Sequence, residues 1–254
     1  MYQWTRKELK TNGKTCMHRN YWKCVLTAFI LALCGGISAG AGNGFANLGT
    51  AKKGFHSDFF SNVPDGMELG RFLTGGLLGL VIGIAIAASV VSIVISIFVL
   101  MPLEVNCRRI FIINRVENPE LSNLGFSFSN GYGNVIKTQF LRALYIFLWS
   151  LLLIVPGIIK GYSYRMVPYI LAENPQIDSR EAFRLSRSMM DGQKWKAFVL
   201  DLSFLGWHIL SVFTFGLLDL FYTAPYEACT GTELYTVLKS NLFTASQPQQ
   251  NPNM

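Results

Sequence analysis

The sequence predicts an all-α protein, a polytopic transmembrane helix bundle of about six membrane helices, some short or broken, with an interfacial amphipathic helix. Residues 72–103 contain no Asp, Glu, Lys, Arg or His, and about 20 predominantly apolar residues are enough to cross a bilayer. Only 15% of all residues are charged, whereas soluble domains average about 25%. Once the apolar segments are set aside, no remaining piece is long enough to form a soluble core.

Residues 1–24 are predicted to form a basic helix on the cytoplasmic surface of the membrane. Thr5 followed by Glu8 has the spacing of a capping box, and Trp4 and Leu9 are placed as its hydrophobic staple. Six basic residues accompany the single acid Glu8, and interfacial attraction to anionic lipid accounts for them. They are Arg6, Lys7, Lys10, Lys14, Arg19 and Lys23.

The first apolar span begins near Trp22 and continues to about Gly42. A secretory signal peptide is the alternative interpretation, because the segment SAGAG at 38–42 is suitable for cleavage. The basic region in front of the span is long and further spans follow. An uncleaved first helix is therefore the preferred prediction.

Small residues recur every four positions in the central span, at Gly75, Gly79, Gly83 and Ala87. This spacing places them on one helix face, and small residues let membrane helices approach closely. The sequence therefore predicts a packing face, used either within the chain or between copies in a homo-oligomer. The alternative is that Gly and Ala are common in membrane helices in any case.

A second amphipathic helix is predicted at residues 178–191, with Asp178 as its N-cap and Glu181 three residues later. Arg180, Arg184 and Arg187 share one face, and the opposite face is apolar. Basic and apolar faces on one helix are typical of a helix that lies in the membrane interface and contacts anionic lipid. An ordinary surface helix packed on the bundle is the alternative.

The predicted organisation has a transmembrane domain at 25–238, which includes a loop at 43–71, and a disordered polar tail at 239–254. Two broken apolar segments are each predicted to be a hairpin, turning near 156–160 and near 213–216. With these hairpins the positive-inside tendency places seventeen Lys and Arg residues inside and five outside. Four spans would give twelve and ten, so six spans with both termini cytoplasmic are preferred.

Several segments resemble a bacterial integral-membrane family known as domain of unknown function 975, found mainly in Gram-positive bacteria. They are PLEVNCRR (102–109), YGNV (132–135), FLWSLLLIVPGIIKGYSYRMVPYILAENP (147–175), EAFRLSRSMMDGQKWK (181–196) and DLSFLGW (201–207). The resemblance covers most of the chain from Met1 to about Leu238. It implies a multi-pass protein of the bacterial cytoplasmic membrane and supplies no activity, ligand or catalytic residue.

A weaker pattern of Pro-Gly, then Glu-Ala, then Ser and Gly before the next span is similar to the membrane domain of some glycerophosphodiester phosphodiesterases. The catalytic barrel of those enzymes has no counterpart here. The weaker resemblance therefore implies no hydrolase activity.

Ionisable side chains at membrane depth are candidate functional residues, because burying them is costly unless they are paired or hydrated. Lys160, Arg165, Asp201 and Asp219 interrupt apolar sequence, and Glu104 lies just beyond the central span. Charge complementarity predicts that Asp201 pairs with Arg165 or Lys160. The alternative is that these side chains lie at the interface or reach it by extending along the helix surface.

The five cysteines and three histidines are scattered, without a CxxC motif or a metal-ligand spacing. The sequence therefore predicts no metal, no cofactor and no disulfide framework. Because the basic residues flank apolar spans, membrane lipids are the predicted partners and nucleic acid is not.

The preferred functional hypothesis is a non-enzymatic membrane protein that acts by helix packing and by lipid or partner contacts. The alternative is a small transporter or lipid-handling protein with a polar site near the Pro156-Gly157 helix break, because discontinuous helices build such sites in transporters. A membrane-embedded enzyme ranks third. A water-filled cavity lined by Lys160, Arg165 and Asp201 would favour the transporter.

Overall fold

The computed structural model describes residues 3–34 and 68–246, and among these it contains helices and turns but no strand. The side chains of 68–78, Ile154 and 245–246 are outside that description. The helices are α1 Arg6–Arg19, α2 Tyr21–Cys34, α3 Glu68–Ile95, α4 Met101–Val116, α5 Phe126–Ser129, α6 Tyr132–Leu152, α7 Ile154–Ser163, α8 Val167–Glu173, α9 Ser179–Met190, α10 Lys194–Leu202, α11 Leu205–Phe213 and α12 Ala224–Ser246. Short helical turns of other kinds occupy Ser96–Leu100, Leu121–Gly125 and Asp219–Thr223.

The chain divides into two compact units, Leu33–Leu100 and a second unit of Met1–Ala32 with Met101–Met254. The predicted loop at 43–71 lies outside the described residues up to 67, and its last residues belong to α3. In α3 the side chains from Gly79 onward are largely exposed, with Leu80, Val81 and Ile84 each about 60% exposed. An apolar helix whose side chains are not buried by the rest of its own unit is suited to contact with lipid.

Three helical stretches of the described residues are long and apolar enough to cross a membrane, namely Gly79–Val116, Tyr132–Leu152 and Lys194–Phe213. Helix α2, described as far as Cys34, is a shorter apolar helix. These features are those of a helical membrane protein. The predicted number of six membrane helices remains a prediction.

Helices α6 and α7 form a hairpin whose break lies at Leu153, ahead of the predicted position at 156–160. Proline has no N–H, and its ring clashes with the carbonyl group four residues earlier. Pro156 therefore ends α6 at Leu152 and is itself accommodated in the first turn of α7. The two helices approach closely, because a Cβ added to Gly157 would lie 2.8 Å from the Ser150 Cα.

The turn predicted near 213–216 is confirmed. Helix α11 ends at Phe213, and the chain then passes through Phe215 at φ 52° and Gly216 at φ 81°. The Gly216 N–H donates to the Ser211 carbonyl at 2.9 Å. The following turn Asp219–Thr223 packs against α11, so this segment is a second hairpin.

Helix α1 begins as predicted, since the Thr5 hydroxyl accepts a hydrogen bond from the Glu8 N–H at 3.3 Å. Its apolar face, however, is covered by α12 of the same chain, an outcome that the prediction of a membrane-surface helix did not include. A Cβ on Gly13 would lie 3.0 Å from the Thr230 Cα. The two ends of the chain therefore pack directly on each other.

Helix α12 continues to Ser246, so the predicted disorder does not apply to residues 239–246, and residues 247–254 lie outside the described chain. Glu173 at the end of α8 forms an ion pair with Lys239 and accepts a hydrogen bond from the Tyr235 hydroxyl at 2.8 Å. Leu242 packs against the core one turn further on. These contacts hold the helix beyond its predicted end.

Helix α9 forms where it was predicted, and the Asp178 carboxylate accepts a hydrogen bond from the Arg180 N–H at 3.1 Å. Its apolar side chains Ala182, Met189 and Met190 belong to the same core as residues of α1 and α12. The protein itself therefore buries the apolar face, as in the alternative of a surface helix packed on the bundle. Lipid contact by this helix stays a prediction for its exposed basic face.

Candidate functional site

A cavity of about 260 Å³ lies within the second unit, between α2, α4, α6, α12 and the start of α8. Small and apolar side chains form part of its wall, among them Ala28 and Leu31 from α2 and Ala228 from α12. The rest of its wall is polar and strongly charged. The polar lining residues are Glu104, Arg108, Arg142, Arg165, Tyr169 and Glu227.

Two arginines share one carboxylate at this cavity. Glu104 lies 3.9 Å from an Arg108 Nη and 3.5 Å from an Arg142 Nη, and both separations exceed the usual length of a hydrogen bond. Glu104 instead accepts a hydrogen bond from the Gln139 amide at 3.1 Å. The cluster therefore carries one surplus positive charge and two loosely engaged guanidinium groups.

The other lining arginine is held more firmly. Arg165 donates two hydrogen bonds to Asp201, from Nη1 to Oδ2 at 2.5 Å and from Nη2 to Oδ1 at 2.9 Å. The Tyr162 hydroxyl donates to the same Oδ2 at 2.7 Å. The pairing of Asp201 with Arg165 predicted from charge complementarity is confirmed, and it neutralises Arg165.

His208 lies between two carboxylates at the edge of the site. Its Nε2 is 3.3 Å from Glu227 Oε2, and its Nδ1 is 3.0 Å from Asp219 Oδ1. The contact between His208 Nδ1 and Asp219 Oδ1 is within ion-pair distance but is not a hydrogen bond, because this buried Asp219 oxygen has no aligned donor. Glu227, the lining carboxylate of α12, therefore has a basic partner outside the cavity lining.

The four residues predicted at membrane depth thus have different surroundings. Arg165 lines the cavity, Asp201 holds Arg165, and Asp219 is connected to the lining through His208. Lys160 is not among the lining residues, and its ammonium group lies 4.8 Å from the centre of the Trp149 ring. The Pro156-Gly157 segment therefore belongs to a hairpin, and it does not line the charged cavity.

Sequence reasoning missed Arg108, Arg142 and Glu227 as members of one site. The spacing of Arg108 partly indicated its role, because Glu104 and Arg108 are four residues apart and such pairs face each other on a helix. Arg142 interrupts a candidate membrane span, and this also marked it as unusual. Glu227 carried no comparable signal.

The predicted small-residue face is open along the described part of α3. A Cβ added to Gly79 or Gly83 would have nothing within 4 Å, and Ala87 is exposed. The surroundings of Gly75 lie outside the described side chains. Packing of this face between copies of the chain stays a prediction.

The predicted lipid-facing arginines of α9 are exposed. Arg184 forms an ion pair with Glu181 on the helix surface, and the Arg187 Nε donates to the Phe183 carbonyl at 3.3 Å. These contacts are local to α9. Arg180, Arg184 and Arg187 are therefore separate from the cavity.

A second buried polar cluster joins α1, α2, α4 and α12. The Asn114 amide donates to the Cys16 carbonyl at 2.8 Å and to the Cys24 sulfur at 3.2 Å, and the Cys229 sulfur lies 4.0 Å from that of Cys24. Among the described residues no group of three or more His, Cys, Asp or Glu has a geometry that could hold a metal ion. The cluster is a set of buried thiols at a helix junction.

Neither the curated proteins nor the solved structures contain a match to this chain. The weaker similarity to the membrane domain of glycerophosphodiester phosphodiesterases therefore remains a prediction. A family match covers residues 150–242, which contribute Arg165, Glu227 and the Arg165 partner Asp201 to the site. This part of the chain matches the family described as Protein of unknown function (DUF975), and the resemblance predicted from the sequence is confirmed over these residues.

Proposed function

We propose that this chain is a multi-pass protein of the bacterial cytoplasmic membrane that handles a lipid at its charged cavity, without catalysing a reaction. The observation that carries the proposal is the cavity itself, which several helices line and which presents three arginines and two glutamates. Charged groups at membrane depth are costly unless they are paired or serve a ligand. The cavity favours the lipid-handling alternative over a protein that acts by helix packing alone.

The exposed apolar surface supports the membrane location. The turns of both hairpins expose large apolar side chains, including Leu151 at 74%, Phe213 at 78% and Phe215 at 97%. Water alone would not favour such a surface, whereas contact with a membrane would. The proposal therefore has both hairpins crossing the bilayer, with their turns at its outer interface.

The packing of the core supports the proposed topology. Residues of α1, α9 and α12 belong to one buried cluster, and α12 contacts both α1 and α9. Both α1 and α9 have exposed basic side chains. With basic residues retained on the cytoplasmic side, we infer that both ends of the chain and α9 are cytoplasmic.

The position of the cavity beside α2 supports a lipid as the ligand. Ala28, Leu31 and Ala32 of α2 line the cavity, and Phe29 and Leu33 of the same helix are exposed. A ligand with a polar head in the cavity would have an apolar helix surface beside it for its tail. Its volume of about 260 Å³ is smaller than the roughly 300–1,000 Å³ of typical ligand pockets, so the cavity suits a head group alone.

Lipid retention tests this proposal. The full chain is reconstituted in vesicles of phosphatidylglycerol and phosphatidylethanolamine and purified again in detergent, and the lipid that stays with it is quantified by mass spectrometry. We expect the wild-type protein to survive alkaline carbonate washing in the membrane fraction and to retain lipid. Ala224→Trp, which fills the cavity from its wall, is expected to lose that lipid.

The matched control is Ala87→Trp, the same substitution on the exposed surface of α3. It is expected to retain as much lipid as the wild-type protein. Release of the protein by carbonate, no retained lipid in the wild-type protein, or equal retention in both variants would contradict the proposal.

A further inference from the structure

We infer that the cavity is a phosphate-group site, in which Arg108 and Arg142 bind the anionic oxygens and Glu104 occupies their place when no ligand is bound. This inference rests on the proposed use of the cavity as a binding site and names the chemistry of its ligand. The ligand is a phosphate group, supplied either by a phospholipid head group or by free phosphate.

The charges around Arg108 and Arg142 favour an anion beside these two residues. Arg165 is paired with Asp201, and His208 lies between Glu227 and Asp219. Arg108 and Arg142 share the carboxylate of Glu104, so these three side chains together carry one positive charge. An anionic ligand is the chemical class that balances this local charge.

The arginines also retain hydrogen-bonding capacity. A guanidinium group has five N–H donors in a planar arrangement that matches the oxygens of a phosphate group. One Arg108 nitrogen donates to the Tyr169 hydroxyl at 3.0 Å, and one Arg142 nitrogen donates to Gln139 at 3.2 Å. Because Glu104 engages both groups only loosely, a phosphate group gains stronger charge-assisted hydrogen bonds than those that it replaces.

Glu104 is placed to act as a competitor for the site. Its carboxylate lies against both arginines and keeps a hydrogen bond from Gln139 at 3.1 Å. A carboxylate at this position repels an incoming anion and occupies its donors. Removal of the negative charge of Glu104 therefore strengthens ligand binding, whereas removal of an arginine weakens it.

The test measures binding to the full chain purified in detergent, by its thermal stabilisation and by isothermal titration. One arm uses inorganic phosphate, one uses short-chain phosphatidylglycerol, and one uses sodium chloride at matched ionic strength. We expect stabilisation that increases with ligand concentration in at least one phosphate arm and none in sodium chloride. Binding in the phosphatidylglycerol arm alone identifies a lipid head group, and binding in the inorganic phosphate arm identifies free phosphate as sufficient.

Three variants connect the binding to these residues. Arg142→Gln is expected to weaken binding about ten-fold or more, in keeping with the loss of a charged hydrogen-bonding partner, and Glu104→Gln to strengthen it. Lys137→Gln is the control, because it also removes one positive charge, at an exposed position of the same helix α6, and leaves binding unchanged. Misfolding would not raise the affinity for phosphate. A gain of affinity in Glu104→Gln therefore supports the site even if the Arg142→Gln variant proves unstable.

The inference is overturned if sodium chloride stabilises the protein as well as phosphate does, or if Glu104→Gln weakens binding. Equal binding by Arg142→Gln and the wild-type protein also overturns it. Lipid that is retained without dependence on Arg142 leaves the proposed function standing and removes only the phosphate site. Phosphate binding without lipid retention leaves the phosphate site standing and removes the proposed lipid handling.

Discussion

Arg165 and Asp201 form a two-point ion pair that joins the end of the α6–α7 hairpin to α10, with contacts of 2.5 and 2.9 Å between their nitrogen and oxygen atoms. The two side chains are 22% and 28% exposed, so the pair is largely shielded from water. Parallel hydrogen bonds between a guanidinium group and a carboxylate give direction as well as energy. This pair positions Arg165 on the cavity wall.

The first prediction is that Asp201→Asn destabilises the protein by about 1–3 kcal/mol. The substitution leaves the Arg165 charge without its partner and weakens the acceptor of the Tyr162 hydroxyl. Thermal unfolding in detergent measures the change. Asp191→Asn, at an exposed position after α9, is the control, and equal unfolding temperatures for both variants would contradict a structural role of the pair.

The second prediction concerns two glycines one turn apart in α7. A Cβ at Gly157 would lie 2.8 Å from the Ser150 Cα, whereas a Cβ at Gly161 would have nothing within 4 Å. We expect Gly157→Ala to cost about 1–3 kcal/mol by forcing α6 and α7 apart. We expect Gly161→Ala to be neutral or stabilising by up to about 1 kcal/mol, because alanine favours a helix.

Thermal unfolding of the two glycine variants in the same detergent compares them directly. The chemical change is identical and the positions lie in one helix, so differences of membrane insertion or of helix propensity largely cancel. A higher unfolding temperature for Gly157→Ala than for Gly161→Ala would show that the hairpin is not tightly packed at this point.

Local features of the fold were predictable from the sequence because their causes are local. The caps at Thr5 and Asp178 depend on residues two or three positions away, and the turn at 213–216 depends on the residues of the turn itself. The break between α6 and α7 lies a few residues before its predicted position, because Pro156 acts on the carbonyl four positions before it. The error is small because interactions between residues close in sequence determine where the helix breaks.

The composition of the site was predictable only in part, because its members come from distant parts of the chain. Arg165 and Asp201 were recognised, since each interrupts an apolar stretch. Arg142 and Glu227 reach the same cavity through the packing of α6 and α12. No local pattern indicates that α1 packs on α12, where Gly13 meets Thr230.

The third prediction is that the native cysteines resist alkylation. All five are buried, and the Cys229 sulfur lies 4.0 Å from that of Cys24 at the junction of α2 and α12. A buried thiol is shielded from the reagent, so the native cysteines should react slowly while the protein is folded. Maleimide labelling at neutral pH, counted by mass spectrometry with and without denaturant, measures this resistance.

Ser188→Cys provides the reference for that experiment, because Ser188 is exposed on α9. It is expected to add one rapidly labelled thiol to the folded protein, while the native thiols react after denaturation. Rapid labelling of Cys229 in the folded wild-type protein would contradict the close packing of α1, α2 and α12 around it.

The fourth prediction is that Ser188→Cys and Phe215→Cys are labelled from opposite sides of the membrane. Helix α9 shares its core with α1 and α12, and basic residues favour the cytoplasmic side, so position 188 should be cytoplasmic. Phe215 lies in the exposed turn of the second hairpin, which six spans place outside. A membrane-impermeant maleimide added to intact cells should therefore label Phe215→Cys and should label Ser188→Cys only in inverted vesicles.

The two cysteine variants control for each other, because each uses the same reagent and the same background of buried thiols. Four spans would put position 188 outside, since the α6–α7 segment would then cross the bilayer once. The observed hairpin at Leu153 returns the chain toward the side from which it came. Labelling of Ser188→Cys in intact cells would therefore contradict both the six-span topology and the inference that the basic face of α9 meets the cytoplasmic leaflet.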